Sequence, residues 1–140
     1  MNTTRKRRVG LGTLASSIVT VLAADLLLLT VADASQLTNT SQLSVFVMAN
    51  CLNGYFHDPL LESLGESLVT AGNGGAVAAL SSSNMTGPIS QQLLVEAFYS
   101  SLFASPQPTV GDALVTAKAT VGSKIGRTWI FLGDPVTRVR

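Results

Sequence analysis

The chain has 140 residues, which suits one domain, and its net charge of +1 gives no broad basic surface of the kind that nucleic-acid binding requires. A single cysteine excludes an internal disulfide, and with only one histidine a structural zinc site would have to rely on carboxylates. We therefore expect no nucleic-acid partner, no metal and no cofactor.

The N-terminus combines a basic cluster at residues 5–8 with an uncharged apolar stretch at residues 9–24. A basic segment, an apolar segment of this length and small residues at its end are typical of a secretory signal. We interpret residues 1–24 as a signal or membrane anchor, so that the protein is secreted or contacts a membrane through this segment. Two alternatives stay open: the stretch is a helix or strand of the domain itself, or it is a start that is not native to the domain.

The middle of the chain predicts a strand, a helix and a second strand. Residues 44–49 form the first strand, buried on both faces because its apolar residues do not alternate with polar ones. Asp58 and Pro59 predict the start of a helix, since Asp caps helices and Pro is tolerated in the first turn. Its buried stripe would be Leu60, Leu61, Leu64 and Leu68. Residues 75–80 form the second strand.

The last part of the chain predicts two helices and a third strand. Pro88 opens the first of these helices, and Thr109 with Asp112 resembles a capping box for the next. Residues 128–132 form the third strand, which a Gly-Asp-Pro turn ends. Because strands alternate with helices, the fold class is α/β, with a short parallel sheet flanked by helices.

Cys51 follows the first strand directly, and the carboxyl edge of a parallel sheet is where such folds place their sites. A thiolate is a strong nucleophile when an imidazole activates it. His57 is the only histidine, and it becomes the base only if the intervening loop folds back over the strand end. Otherwise His57 is a surface or capping residue. The alternative for Cys51 itself is a small buried hydrophobic residue. Residues 81–84 would line a cleft beside Cys51 if the two strands are neighbours.

Five segments resemble gingipain-type cysteine peptidases: VFVMANCLNGYFHDP at 45–59, ESLGESLVTAGNGGAVAALSSS at 62–83, LLVEAFYSSLF at 93–103, VGDALVTAKA at 110–119 and WIFLGDPVTRV at 129–139. The most specific parts are those around Cys51, residues 74–75 and residues 132–135. The resemblance runs in order through residues 25–140 and matches the C-terminal part of the catalytic domain. It implies a partial caspase-like three-layer fold, peptide or protein substrates, and Cys51 as the nucleophile.

The resemblance also implies a catalytic histidine in an upstream Gly-His-Gly motif, whereas no histidine precedes Cys51 here. Two functions therefore remain. One is a cysteine endopeptidase whose base is His57 or an imidazole from a partner chain. The other is a catalytically inactive remnant that acts as a binding or interaction module, with or without a membrane tether. We also expect that the sheet lacks the strands that should precede residue 44, which would leave an apolar edge for a partner chain to cover.

Overall fold

The computed structural model describes residues 18–22 and 29–139, with side chains from residue 29 onward. The described residues form one four-stranded sheet with helices on both faces, which confirms the α/β class. In chain order the elements are β1 (Ile18–Leu22), α1 (Val31–Ser35), β2 (Ser44–Ala49), α2 (Leu64–Thr70), β3 (Ala76–Ser82), α3 (Pro88–Leu102), α4 (Val110–Val121), α5 (Ser123–Thr128) and β4 (Trp129–Gly133).

The sheet has the strand order β1-β2-β3-β4, in which the first three strands are parallel and β4 is antiparallel to β3. The reversal follows from the connection, because α3 and α4 pack against each other and return the chain to the end of β3. There the Ser83 N–H donates to the carbonyl oxygen of Thr128 (2.7 Å). The predicted parallel sheet is thus confirmed for three strands, and the last strand runs the other way.

The expectation that no strand precedes β2 is wrong. β1 pairs with β2 in parallel along its whole length, from Ile18 opposite Val45 to Leu22 opposite Ala49. β2 is therefore an interior strand rather than an exposed edge. Residues 18–22 lie in the sheet, as in the alternative that makes this stretch part of the domain, and residues 1–17 and 23–24 of the predicted signal or anchor lie outside the described residues. Within the described part of the chain, no helix has the length and apolar character needed to cross a membrane.

β2 is buried on both faces, as its unbroken apolar run predicts. Val45 and Val47 pack towards α3 and α4, and Phe46 and Met48 pack towards α1 and α2. The result is a helix–sheet–helix arrangement of three layers. The larger core contains these helix and strand residues: Leu94, Phe98, Leu102, Val110, Ala113, Leu114, Ala117 and Trp129.

The helix predicted to begin at Asp58 and Pro59 begins later, at Leu64. The Asp58 carboxylate does accept two backbone N–H groups, from Leu60 and Leu61, but these bonds close a turn and no helix follows. Both leucines are exposed, at 89% and 70% of their surface, so they cannot belong to a buried stripe.

A capping box at Ser63 and Glu66 starts the helix instead. The Ser63 hydroxyl accepts the Glu66 N–H (3.3 Å), and the Glu66 carboxylate accepts the Ser63 N–H (2.9 Å). Together these bonds satisfy two N–H groups that a helix leaves free at its start. Of the predicted stripe, only Leu64 and Leu68 are inside the helix and buried.

We expect Ser63→Ala to lower the free energy of unfolding by about 1 kcal/mol, because the cap hydroxyl is lost. Urea unfolding followed by circular dichroism measures this change. Ser100→Ala is the matched control, since Ser100 is exposed on α3 and its side chain makes no hydrogen bond with the residues that the structure describes. Equal unfolding midpoints for the two variants would contradict the assignment of Ser63 as the cap.

Candidate active site

Cys51 lies two residues beyond Ala49, at the carboxyl end of the interior strand β2 and next to β3. Its side chain is half-buried. The chain turns sharply after it, because Leu52 has a φ of 64°, which few residues other than glycine adopt. This turn is closed by a hydrogen bond from the Tyr55 N–H to the Leu52 carbonyl (3.0 Å). The cysteine is therefore held between a rigid strand and a tight turn.

The loop that follows Cys51 packs closely on β3. The Gly54 N–H donates to the Ser82 carbonyl (3.0 Å), and the Asn53 carbonyl accepts the Gly65 N–H (2.8 Å). A Cβ atom at Gly54 would lie only 2.4 Å from the hydroxyl oxygen of Ser81. Only glycine allows the loop to approach the strand this closely.

The sulfur of Cys51 contacts the loop of residues 83–87, which joins β3 to α3. The thiol donates to the Thr86 carbonyl oxygen (3.2 Å), and the Thr86 N–H points back at the sulfur (3.4 Å). The side-chain amide of Gln91 also donates to the sulfur (3.4 Å). The same amide group lies 3.1 Å from the Thr86 carbonyl oxygen and 3.0 Å from the Thr86 hydroxyl. Gln91 therefore fastens Thr86 over the sulfur.

His57 is exposed, and its contacts are aromatic. Its ring stacks on Phe56 with a centroid separation of 4.0 Å and lies tilted to Tyr55 at 5.2 Å. The structure gives no contact between His57 and Cys51. Since His57 is the only histidine of the chain, the described geometry brings no imidazole to the sulfur.

A cleft of about 480 Å³ opens beside these loops. We call it the Arg127 cleft; its lining residues are Tyr55, His57, Ser83, Asn84, Arg127 and Thr128. Of the serines and asparagine predicted to line a cleft, Ser83 and Asn84 do so, whereas Ser81 and Ser82 are fully buried. Cys51 is not among the lining residues.

Thr86 and Gln91 were not identified from the sequence, because their contacts with Cys51 depend on how loops separated by 35 and 40 residues meet. A helix that begins with Pro88 indicates only that Gln91 lies in its first turns. Nothing in the local pattern assigns its amide to a sulfur. Among the residues that the structure describes, no group of His, Cys, Asp and Glu side chains is arranged to hold a metal ion.

Ser81 and Gly54 provide a test of how the loop packs. The Ser81 hydroxyl is buried and has no hydrogen-bond partner in the described residues, so we expect Ser81→Ala to raise the free energy of unfolding by about 1 kcal/mol. Gly54→Ala should lower it by about 1–3 kcal/mol through overpacking. In the Ser81→Ala background the loss should shrink by about 1 kcal/mol. Urea unfolding of the four proteins measures this coupling, and an unchanged loss would contradict the contact.

Gln91 is expected to slow modification of the sulfur, because its shorter bonds go to Thr86 and hold the covering loop in place. In Gln91→Ala the loop loses these hydrogen bonds, which are worth about 1 kcal/mol. We therefore expect iodoacetamide to alkylate Cys51 about fivefold faster in this variant. Gln92→Ala is the control, since the Gln92 amide is exposed and bonds to Glu96. If both variants react at the rate of the unchanged protein, Gln91 does not anchor the loop.

Comparisons with known proteins identify the family of this chain. The model of "Peptidase family C25" matches residues 15–140. A solved structure described as a protease has the same fold with a TM-score of 0.73 at 17% sequence identity, over 89% of this chain and 36% of that one. The chain thus spans little more than a third of that protein. No curated protein matches. The chain belongs to peptidase family C25, the gingipain family of cysteine peptidases.

Proposed function

We propose that this chain carries the nucleophile of a cysteine-type endopeptidase site with a caspase-like layout, and that Cys51 is that nucleophile. The observation that supports this most directly is the place of Cys51, just beyond an interior strand of the parallel part of the sheet, with its sulfur half-buried. Family membership supplies the reaction class. The substrate would be a peptide or protein.

The reaction would proceed through a thioester. The Cys51 thiolate attacks the peptide carbonyl carbon and forms a C–S bond, and the carbonyl oxygen takes the negative charge. The C–N bond then breaks, and the leaving amine takes the proton that the thiol lost, carried by a base. Water hydrolyses the thioester and restores the thiol. The Thr86 N–H and the Gln91 amide, both 3.4 Å from the sulfur, are donors that can hydrogen-bond the thiolate.

The covering loop sets a condition on this reaction. The Thr86 carbonyl oxygen lies 3.2 Å from the sulfur and accepts its hydrogen. In this proposal the Thr86 loop moves aside when a peptide binds, so that the peptide carbonyl carbon reaches the sulfur.

The base comes from outside this chain in our proposal. His57 stacks on Phe56 and has no contact with the sulfur, and no other histidine exists in the sequence. A partner chain that supplies an imidazole would complete the site. His57 could act as the base only if the loop after Cys51 moved, so that the ring left Phe56 and approached the sulfur.

A peptide with a C-terminal chloromethyl ketone tests the nucleophile, because this group alkylates a thiol that a peptide site presents. We expect intact-mass analysis to show one adduct on the folded protein and none on Cys51→Ala. Because the Thr86 loop covers the sulfur and the base comes from a partner, labelling of the folded chain should be slow, and an excess of the same peptide as an unreactive C-terminal amide should slow it further by occupying the site. Labelling that this amide does not slow would overturn the assignment of Cys51.

The same assay separates the two candidate bases. His57→Asn should be labelled within about twofold of the rate of the unchanged chain, since His57 does not contact the sulfur. His57→Phe is the matched control, because it keeps an aromatic ring against Phe56. A loss greater than about tenfold in both variants would give the base role to His57 instead.

A second candidate function is a binding module without catalysis. The contacts of the sulfur favour this function. The sulfur is hydrogen-bonded to the Thr86 carbonyl and the Gln91 amide, and no imidazole of this chain contacts it. In this case Cys51→Ala binds peptides as well as the unchanged chain does, and neither protein cleaves them. Peptide cleavage that disappears in Cys51→Ala would exclude this function.

A further inference from the structure

The Arg127 cleft contains donors and a cation, but no carboxylate among its described lining residues. Arg127 lies in the last turn of α5 and is exposed. Its guanidinium makes no ion pair or hydrogen bond with any residue in the described part of the chain, so all five of its N–H groups are free for a ligand. An unpaired guanidinium beside a concave surface is suited to a planar anion that accepts two parallel hydrogen bonds.

The other lining groups add to this preference. The oxygen of the Asn84 side-chain amide already accepts the Met85 N–H (2.7 Å), which leaves its NH₂ group to donate. The Tyr55 hydroxyl and the His57 ring have no hydrogen bonds in the described residues, and both can donate. The Ser83 hydroxyl donates to the Thr128 carbonyl (3.0 Å), so its remaining capacity is as an acceptor. Donors therefore dominate the cleft.

Besides α5, two loops next to Cys51 line the cleft. Tyr55 and His57 belong to the loop that follows Cys51. Ser83 and Asn84 belong to the loop of residues 83–87, whose Thr86 contacts the sulfur. The cleft and the sulfur of Cys51 therefore adjoin the same two loops.

We propose that the Arg127 cleft binds a carboxylate of the peptide substrate, either an acidic side chain or a free C-terminus, with Arg127 as the main contact. The identification of the ligand as a peptide rests on the proposed function. The carboxylate preference rests on the cleft alone. A carboxylate matches the guanidinium in shape and charge, and the remaining donors fill its other lone pairs.

Fluorescence anisotropy with labelled peptides tests this proposal on the full chain carrying Cys51→Ala, so that no covalent step interferes. One pair of C-terminally amidated peptides differs only in a central Glu or Gln, and a third peptide has Gln and a free C-terminus. We expect the Glu peptide or the free-acid peptide to bind about fivefold more tightly than the amidated Gln peptide. Which of the two does so identifies the source of the carboxylate.

Arg127→Gln should abolish this preference. Lys124→Gln is the matched control, because it removes the same charge from the same helix and Lys124 does not line the cleft. Equal binding of all three peptides, or a preference that survives Arg127→Gln, overturns the proposal. Inorganic phosphate that competes better than acetate at equal ionic strength also overturns it in favour of a phosphate site.

The result of this binding experiment can be told apart from the result of the ketone labelling that tests Cys51. Ketone labelling of Cys51 without a carboxylate preference would leave the peptidase proposal standing and remove this one. A carboxylate preference that depends on Arg127, in a chain that no ketone labels, would establish the cleft as a binding site and remove Cys51 as the nucleophile.

Discussion

The structure depends on the complete enclosure of β2. Both of its edges are hydrogen-bonded, to β1 and β3, and both of its faces are covered by helices. All six of its residues are buried, so the strand cannot shift in register without moving apolar side chains to the wrong face. Cys51 is two residues from its end. The backbone that leads into Cys51 is therefore held by the core.

A bulge in β3 lies next to the Gly-Asp-Pro turn near the end of the chain. The pairing between β2 and β3 skips Val77, and the Val77 carbonyl accepts the Asp134 N–H (3.2 Å) on the side of β4. Gly133 adopts a φ of 115° there, and a Cβ atom would lie 2.3 Å from that carbonyl oxygen. The Pro135 carbonyl in turn accepts the Gly111 N–H (2.9 Å), which fastens the start of α4. One of the most specific segments of the family resemblance is thus structural rather than catalytic.

Periodicity and capping predicted the elements whose causes are local. The start of α3 at Pro88 and the Thr109 cap of α4 depend on residues within one turn, and both are as predicted. The predicted start of α2 was wrong because two local capping signals, at Asp58 and at Ser63, lie close together. The Ser63–Glu66 capping box starts the helix, and Asp58 closes only a turn. The direction of β4 depends on two helices packing as a pair, which no local pattern encodes. The sulfur's partners depend on the same long-range assembly.

The pairing of β1 also constrains the N-terminal segment. Residues 18–22 belong to the stretch that resembles a secretory signal, and they pair with residues 45–49 of β2. Cleavage within or just after this stretch would remove the strand and leave the β2 edge unpaired, with its backbone N–H and carbonyl groups exposed. An apolar run followed by small residues therefore has two physical interpretations, a targeting segment and a strand, and in the sheet described here residues 18–22 form a strand. The interior position of β2, which leads to the site at Cys51, follows from this pairing.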